Sequence, residues 1–256
     1  MTSLSVDAGT VTGMMFAISR VSGLVLGAPL IARRIPAVGR AGLAISLGLF
    51  FATPVGGPEG LDVPSLVGGV FMNLGIGLLL GFSAGLVFEL FAVAGGVLDI
   101  SSGLGLSSVL DPTTGSRVTV FQRLFDLTAL TIFFVLGGPR LLVAGLSGTL
   151  EVVPLDGSVR LDPGVANVVL DTVERFFVAG LEVAMPALAA LFLTEVTLGV
   201  AARMMPQANI FLIGLPAKLL VVMATGGVVL LSFPTVIASI MVEIQRIMLA
   251  VTGALG

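Results

Sequence analysis

Between Ser65 and Leu98 a single charged residue, Glu89, interrupts an otherwise uncharged and largely apolar run. Such a segment has little to offer water, and in hydrocarbon only a helix or a closed barrel satisfies every backbone N–H and C=O. Strand-like alternation is not sustained anywhere, and a barrel would need it. At about 1.5 Å per residue the run is too long for one upright crossing, so it is expected to tilt, kink or break near Gly95-Gly96. Comparable runs recur. One extends from Thr10 to Leu30 with Arg20 inside it, and one from Ala41 to Pro54 after Pro36 and a basic turn of Arg33, Arg34 and Arg40. Others cover about Val118 to Leu136, Phe176 to Val200, and Ile210 to Phe233 with Lys218 inside. A linker of Pro54, Gly57, Pro58, Glu59, Asp62 and Pro64 separates the second from the third, and a small-residue loop runs from Asp99 to Arg117. The stretch from Gly137 to Asp171 is the most polar and reads as a connection without a domain of its own. The tail, Pro234 to Gly256, reads as an amphipathic or partly buried helix with Glu243 and Arg246.

Composition supports this reading. The chain is 56% hydrophobic and 11% charged, against about 25% charged in soluble domains, which leaves little room for a water-soluble enzyme. At about 20 residues per crossing, six or seven spans fit. A net charge of −3 gives no basic surface for nucleic acid. With no Cys and no His, disulfides, thiol chemistry, the usual zinc sites and histidine acid/base catalysis are excluded. With no Trp and no Tyr, the interfacial aromatic belts are missing, which hints at helices held by protein partners. Asp7 is the only charge before the first run, and no basic segment precedes it, so an uncleaved first helix is expected. Six spans put both termini on one side, and the arginines of the first loop make that side external. The expected fold class is an all-α membrane protein of about six hydrophobic helices.

Gly69, Asn73, Gly77, Gly81 and Gly85 recur at every fourth position and therefore share one helical face. Small residues there let another helix approach backbone to backbone. Gly81-Phe82-Ser83-Ala84-Gly85 fits the G-x-S-x-G pattern of a nucleophile elbow, but it lies within an apolar helix in a chain without histidine, and the match is rejected. Lys218 follows no glycine loop, so there is no P-loop. Charges within spans are costly and face protein or water; they are Arg20, Glu89, Arg123, Asp126, Glu182, Glu195 and Lys218. Arg123 and Asp126 have the spacing of a pair on one helix face, favoured here as a structural pair buried between helices. Glu182 and Glu195 suit either a cation path or neutralisation of Arg20, Lys218 or a partner's bases. Pro186, Pro206 and Pro216 are expected to break the two late spans, and broken helices also build transporter sites; a secondary transporter is therefore the competing class. The loop Ser101 to Pro112, rich in Gly and Ser and nearly free of charge, suits either a linker or a segment entering a pore.

Three groups of residues carry a resemblance. Arg20, Ala28-Pro29, Arg34-Ile35-Pro36 and Arg40-Ala41-Gly42-Leu43-Ala44 form the first. Leu106-Ser107-Ser108-Val109-Leu110-Asp111-Pro112 followed by Arg123-Leu124-Phe125-Asp126 forms the second, and Met205-Pro206-Gln207-Ala208-Asn209-Ile210-Phe211-Leu212-Ile213-Gly214 the third. In this order they resemble the FliR/SctT family, core membrane proteins of flagellar and injectisome type III secretion. The similarity covers nearly the whole chain. Two departures are Pro139, where many relatives have histidine, and the absence of Glu or Gln near Asn73.

The resemblance implies one module over residues 1–256, with a FliP-like part over about 1–175 that includes the central loop 101–117, and a FliQ-like hairpin and tail over about 176–256. The hairpin would run from about Leu181 to Phe233 and turn at Pro206, Gln207 and Asn209. The helices would pack as hairpins into a hetero-oligomeric export gate with FliP-like, FliQ-like and FlhB-like partners, partly lifted out of the bilayer plane, in the bacterial inner membrane at the flagellar basal body. Leu106, Ser107, Ser108, Val109, Leu110, Asp111, Pro112 and Gly115 would map onto the plug that closes the channel to unfolded polypeptides. Membrane lipid is the remaining partner expected, with no nucleic acid, metal, cofactor or catalytic residue. The flagellar version is favoured over the injectisome one.

Overall fold

In the computed structural model, residues 8–28, 34–52, 57–58, 60–104, 119–153, 155, 164–207 and 209–255 are described. Among them the secondary structure is helical: α1 (Ala8–Gly27), α2 (Ala37–Ala52), α3 (Val63–Ser101), α4 (Val120–Val135), α5 (Gly138–Val152), α6 (Gly164–Met204) and α7 (Ile210–Leu255). The protein is an all-α membrane protein. Among the described residues four stretches are long and apolar enough to cross a bilayer: Ala8–Gly27, Val63–Leu86, Leu170–Met204 and Leu212–Arg246. A fifth is added if α4 and α5 together make one broken span. This is fewer than the six runs read from sequence, because α2 and α4 hold 16 residues each, or about 24 Å, against a hydrocarbon core of about 30 Å.

Three local expectations are corrected. α3 continues unbroken through Gly95 and Gly96 to Ser101. Pro186 lies inside α6, and Pro216 and Pro234 lie inside α7, so only Pro206 sits at an interruption and the tail continues α7. A proline removes one backbone donor and crowds the preceding turn, which these long apolar helices absorb. The polar stretch after Gly137 contains α5, with Pro139 in its first turn, where a missing N–H costs nothing. Gly137 adopts φ 80° and separates α4 from α5, a conformation glycine reaches without a Cβ clash.

Contacts divide the chain into two compact units. One comprises Met1–Leu86, Gly137–Val173 and Met241–Gly256; the other comprises Val87–Leu136 and Glu174–Ile240. In the first, α1 lies against the opening turns of α3, with Phe16 fully buried and its ring beside Gly69. Gly48 of α2 sits on Ile18 of α1. The segment leading into α3 is stitched to α1 by the Gly57 N–H donating to the Gly9 carbonyl at 2.9 Å and by the Thr12 hydroxyl donating to the Pro58 carbonyl at 2.9 Å. Asp62 then caps α3, and hydrogen bonds from Ser65 hold its carboxyl below the usual range.

The core of the second unit is aromatic. Phe88 stacks edge-on to Phe133 at 4.9 Å, and Phe233 lies 4.6 Å from Phe91 and 5.0 Å from Phe125. The edge-to-face pairs Phe88–Phe133 and Phe125–Phe233 supply packing specificity where area burial alone gives little. Gly95 admits the Phe121-Gln122 backbone, and Gly180 lies against Leu90.

Candidate functional site

Among the described residues, those singled out by sequence are divided between the two units. In the first unit the α1–α3 crossing is lined by glycine on both sides. A Cβ on Gly77 would overlap the Arg20 carbonyl and come within 2.8 Å of the Leu24 nitrogen. One on Gly81 would overlap the Leu24 carbonyl and come within 2.9 Å of the Ala28 nitrogen. Gly23 and Gly27 of α1 stand in the same relation to Leu74 and Leu78. Gly85 is buried further along α3. Small residues thus set backbone on backbone, and the helix that fills the stripe is the chain's own first helix.

At this crossing Arg20 and Asn73 are both 0% exposed. Arg20 Nε donates to Asn73 Oδ1 at 2.9 Å, and Nη1 donates to the carbonyls of Thr149 and Val153 at 3.2 and 2.7 Å. Asn73 Nδ2 donates to the carbonyls of Gly69 and Leu155 at 2.8 and 3.2 Å. The guanidinium therefore serves the C-terminal turn of α5, the negative end of its dipole, sharing the Thr149 carbonyl with the Val153 N–H at 2.9 Å. Sequence reasoning found Arg20 and Asn73 but missed α5 as their receiver.

In the second unit α6 and α7 form a helical hairpin. Pro206 and Gln207 occupy its exposed turn, and Asn209 precedes α7 with its carbonyl and Oδ1 at 3.0 and 3.4 Å from the Leu212 N–H. Glu195 and Lys218 pair across the hairpin, the lysine 22% and the glutamate 55% exposed. Beside them is a cavity of about 490 Å³ walled by Leu198, Gly199, Ala202 and Gly214. Glu182 is exposed on α6; Glu89 and Asp126 are half-buried and engaged; Arg123 is exposed. No buried Arg123–Asp126 pair is therefore enclosed by this chain alone. Both faces of the hairpin carry uncovered apolar side chains, including Phe192, Leu193 and Met204 on α6 and Leu212, Leu220 and Leu231 on α7.

One polar group went unnoticed in the sequence. Asp99, 2% exposed near the end of α3, accepts the N–H groups of Phe121 and Gln122 at 2.9 and 3.0 Å. Thr119 supplies no side-chain cap to α4, so a carboxylate from another helix does. Nothing local marks it, since the spacing between Asp99 and Phe121 follows no cap motif. Asp99→Ala is expected to cost about 1–2 kcal/mol, the range of a lost N-cap, read as a lower thermal aggregation temperature in detergent. Leu106, Ser107, Ser108, Val109, Leu110, Asp111, Pro112 and Gly115 lie outside the described residues. Among the described residues no group of His, Cys, Asp or Glu could hold a metal ion.

Residues 11–244 match the family described as Bacterial export proteins, family 1. The chain is 27% identical over 247 residues to the flagellar biosynthetic protein FliR of Bacillus subtilis, covering 91% of this chain and 93% of that protein. It is 31% identical over 149 residues to FliR of Escherichia coli, covering 57% of this chain and 56% of that protein. To the surface presentation of antigens protein SpaR of Shigella sonnei it is 30% identical over 149 residues, covering 58% and 57%.

Proposed function

The chain belongs to the bacterial export proteins, family 1, and from that premise we propose that it is a core subunit of the flagellar type III export gate, assembling with FliP-like and FliQ-like subunits into the channel for unfolded flagellar proteins. The match along nearly the full length of a flagellar relative supports the flagellar version. The shorter match to SpaR keeps an injectisome role as the second reading. In this account the chain performs no chemistry, lies in the inner membrane at the basal body, and has an FlhB-like neighbour.

The observation that carries the proposal is the length of uncovered apolar surface. Exposed apolar side chains recur from Leu170 to Met204 on α6, about 50 Å of helix. Bringing that length into a hydrocarbon core of about 30 Å would need a tilt beyond the observed limit of about 40°. Part of the surface therefore calls for protein cover. The small walls of the cavity beside Glu195 and Lys218 suit a close neighbouring helix.

The test is purification. Expressed with FliP-like and FliQ-like partners, the chain is expected to co-elute as one hetero-oligomer; expressed alone it is expected to aggregate in detergent. A solitary, stable chain that binds a small solute would overturn the proposal in favour of a transporter. Within the gate, residues Leu106 to Gly115 act as the plug. A loop whose one charge from Leu106 to Gly115 is Asp111 packs in a pore with little buried charge to strand. Deleting Leu106 to Gly115 is expected to raise small-ion leakage across the membrane; unchanged leakage with secretion intact would remove the plug role.

A further inference from the structure

We propose that Asp99 is a positioning residue for the central loop: it ties the helix that the loop leaves to the helix that the loop enters, and the closed channel depends on that tie. The inference rests on the reading of Leu106 to Gly115 as the plug. Chain connectivity fixes where the tie sits. α3 ends at Ser101 and α4 begins at Val120, so whatever joins these two ends forms the base of everything between them. A helix start is usually capped by its own N-cap residue, whose side-chain oxygen takes an N–H of the first turn. Thr119 holds that position in α4 and makes no side-chain cap. Asp99 caps it from α3 instead, Oδ1 accepting the Phe121 N–H at 2.9 Å and Oδ2 the Gln122 N–H at 3.0 Å. A local cap would hold the first turn of α4 and nothing else. A cap from α3 also fixes α4 to α3.

The rest of the junction is shaped for the same seat. Gly95 lies one turn before Asp99 on the same face of α3, and a Cβ there would come within 2.5 Å of the Gln122 Cα. The buried Phe121 ring lies against Gly226 of α7. On the departing side Ser102 is buried, its N–H and hydroxyl donating to the carbonyls of Leu98 and Asp99, and Gly103 turns the chain at φ 89°. A carboxylate as enclosed as that of Asp99 is costly to bury. Two N–H groups at the positive end of a helix offset that cost, but only while α4 stays seated. Withdrawal of the first turn of α4 would take both of these donors from a buried charge, so the two ends of the loop hold or separate together.

The experiment uses the full chain assembled with FliP-like and FliQ-like subunits, reconstituted in phosphatidylcholine vesicles loaded with potassium chloride, and reads potassium efflux. Asp99→Asn keeps the shape but turns an N–H donor toward N–H groups. It is expected to leak about 5–30-fold faster than the wild type, the population shift that corresponds to one lost helix cap. A second variant carries the test should this one fail to assemble. Asp99→Asn combined with Thr119→Asp returns a cap to α4 from its own N-cap position without tying it to α3. The double variant is expected to assemble in wild-type yield and still leak like Asp99→Asn. A double variant as tight as the wild type overturns the proposal, since Asp99 would then serve only as a cap. One that does not assemble overturns it too, because Asp99 would then be needed for folding itself. Deletion of Leu106 to Gly115 separates this proposal from the reading beneath it. A leaking deletion beside tight Asp99 variants overturns the role of Asp99 and leaves the plug standing, whereas a tight deletion overturns both.

Discussion

Gly77→Ala is expected to destabilise the chain by about 2–3 kcal/mol or more, although it adds one methyl group. The estimate follows from what the methyl would meet. Overpacking a core costs about 1–3 kcal/mol when side chains can shift, but here the obstacle is the backbone of α1 at Arg20 and Leu24, which cannot rotate aside. α1 must translate away, and the contacts of Gly81, Gly23 and Gly27 separate with it. Gly77→Leu with Gly81→Leu should therefore remove the chain from the membrane fraction altogether. Gly75→Ala is the matched control. It lies on the same helix with nothing within 4 Å of its would-be Cβ, and its effect should stay within about 1 kcal/mol, the size of the propensity term. The measurements are the steady-state level in membranes and the thermal aggregation temperature in detergent. If Gly77→Ala accumulates and melts like Gly75→Ala, the glycine seat does not hold α1 on α3.

That crossing also shows what the sequence could and could not convey. The every-fourth spacing from Gly69 to Gly85 announces a close helix contact, because periodicity is local information. It says nothing about which helix arrives, and α1 fills the contact. The apolar runs place α1, α3, α6 and α7 because a membrane helix is defined by what it lacks. α5 escaped notice because Arg140 and Glu151 made its segment look like a linker, although Pro139 in a first turn is a start signal. From sequence alone Gly95 reads as a weak point in α3. Its glycine instead admits the Phe121-Gln122 backbone, a use visible only once α4 is in place. Asp99 was invisible for the same reason: capping at long range leaves no spacing to read. The pairing of Glu195 with Lys218 was open among several partners, and the hairpin geometry selects it.

Arg20→Leu is expected to be the most damaging single side-chain truncation in the first unit. An arginine within a membrane span is by default a candidate for transport or recognition, but this one has no exposure within the chain and spends its donors on fixed acceptors. Removing it takes the donor from Asn73 Oδ1 and the Val153 carbonyl in a closed interior, while the Thr149 carbonyl keeps the Val153 N–H. Each neutral acceptor left unpaired in a closed interior costs about 1–3 kcal/mol. Arg20→Lys should cost less, since an ammonium keeps the favourable charge at the end of α5 yet cannot serve Asn73 and both carbonyls with one planar fork. The informative variant is Arg20→Leu combined with Asn73→Leu. With both side chains apolar, the Asn73 oxygen is no longer orphaned, so the double variant should lose less than the sum of the singles by about 1–3 kcal/mol, the usual coupling within one network. Recovery stays incomplete because the Val153 and Leu155 carbonyls remain without these donors. Strictly additive losses in thermal aggregation temperature would mean that Arg20 and Asn73 act separately, and that the arginine is held in this position for a ligand or a passing charge instead of for the end of α5.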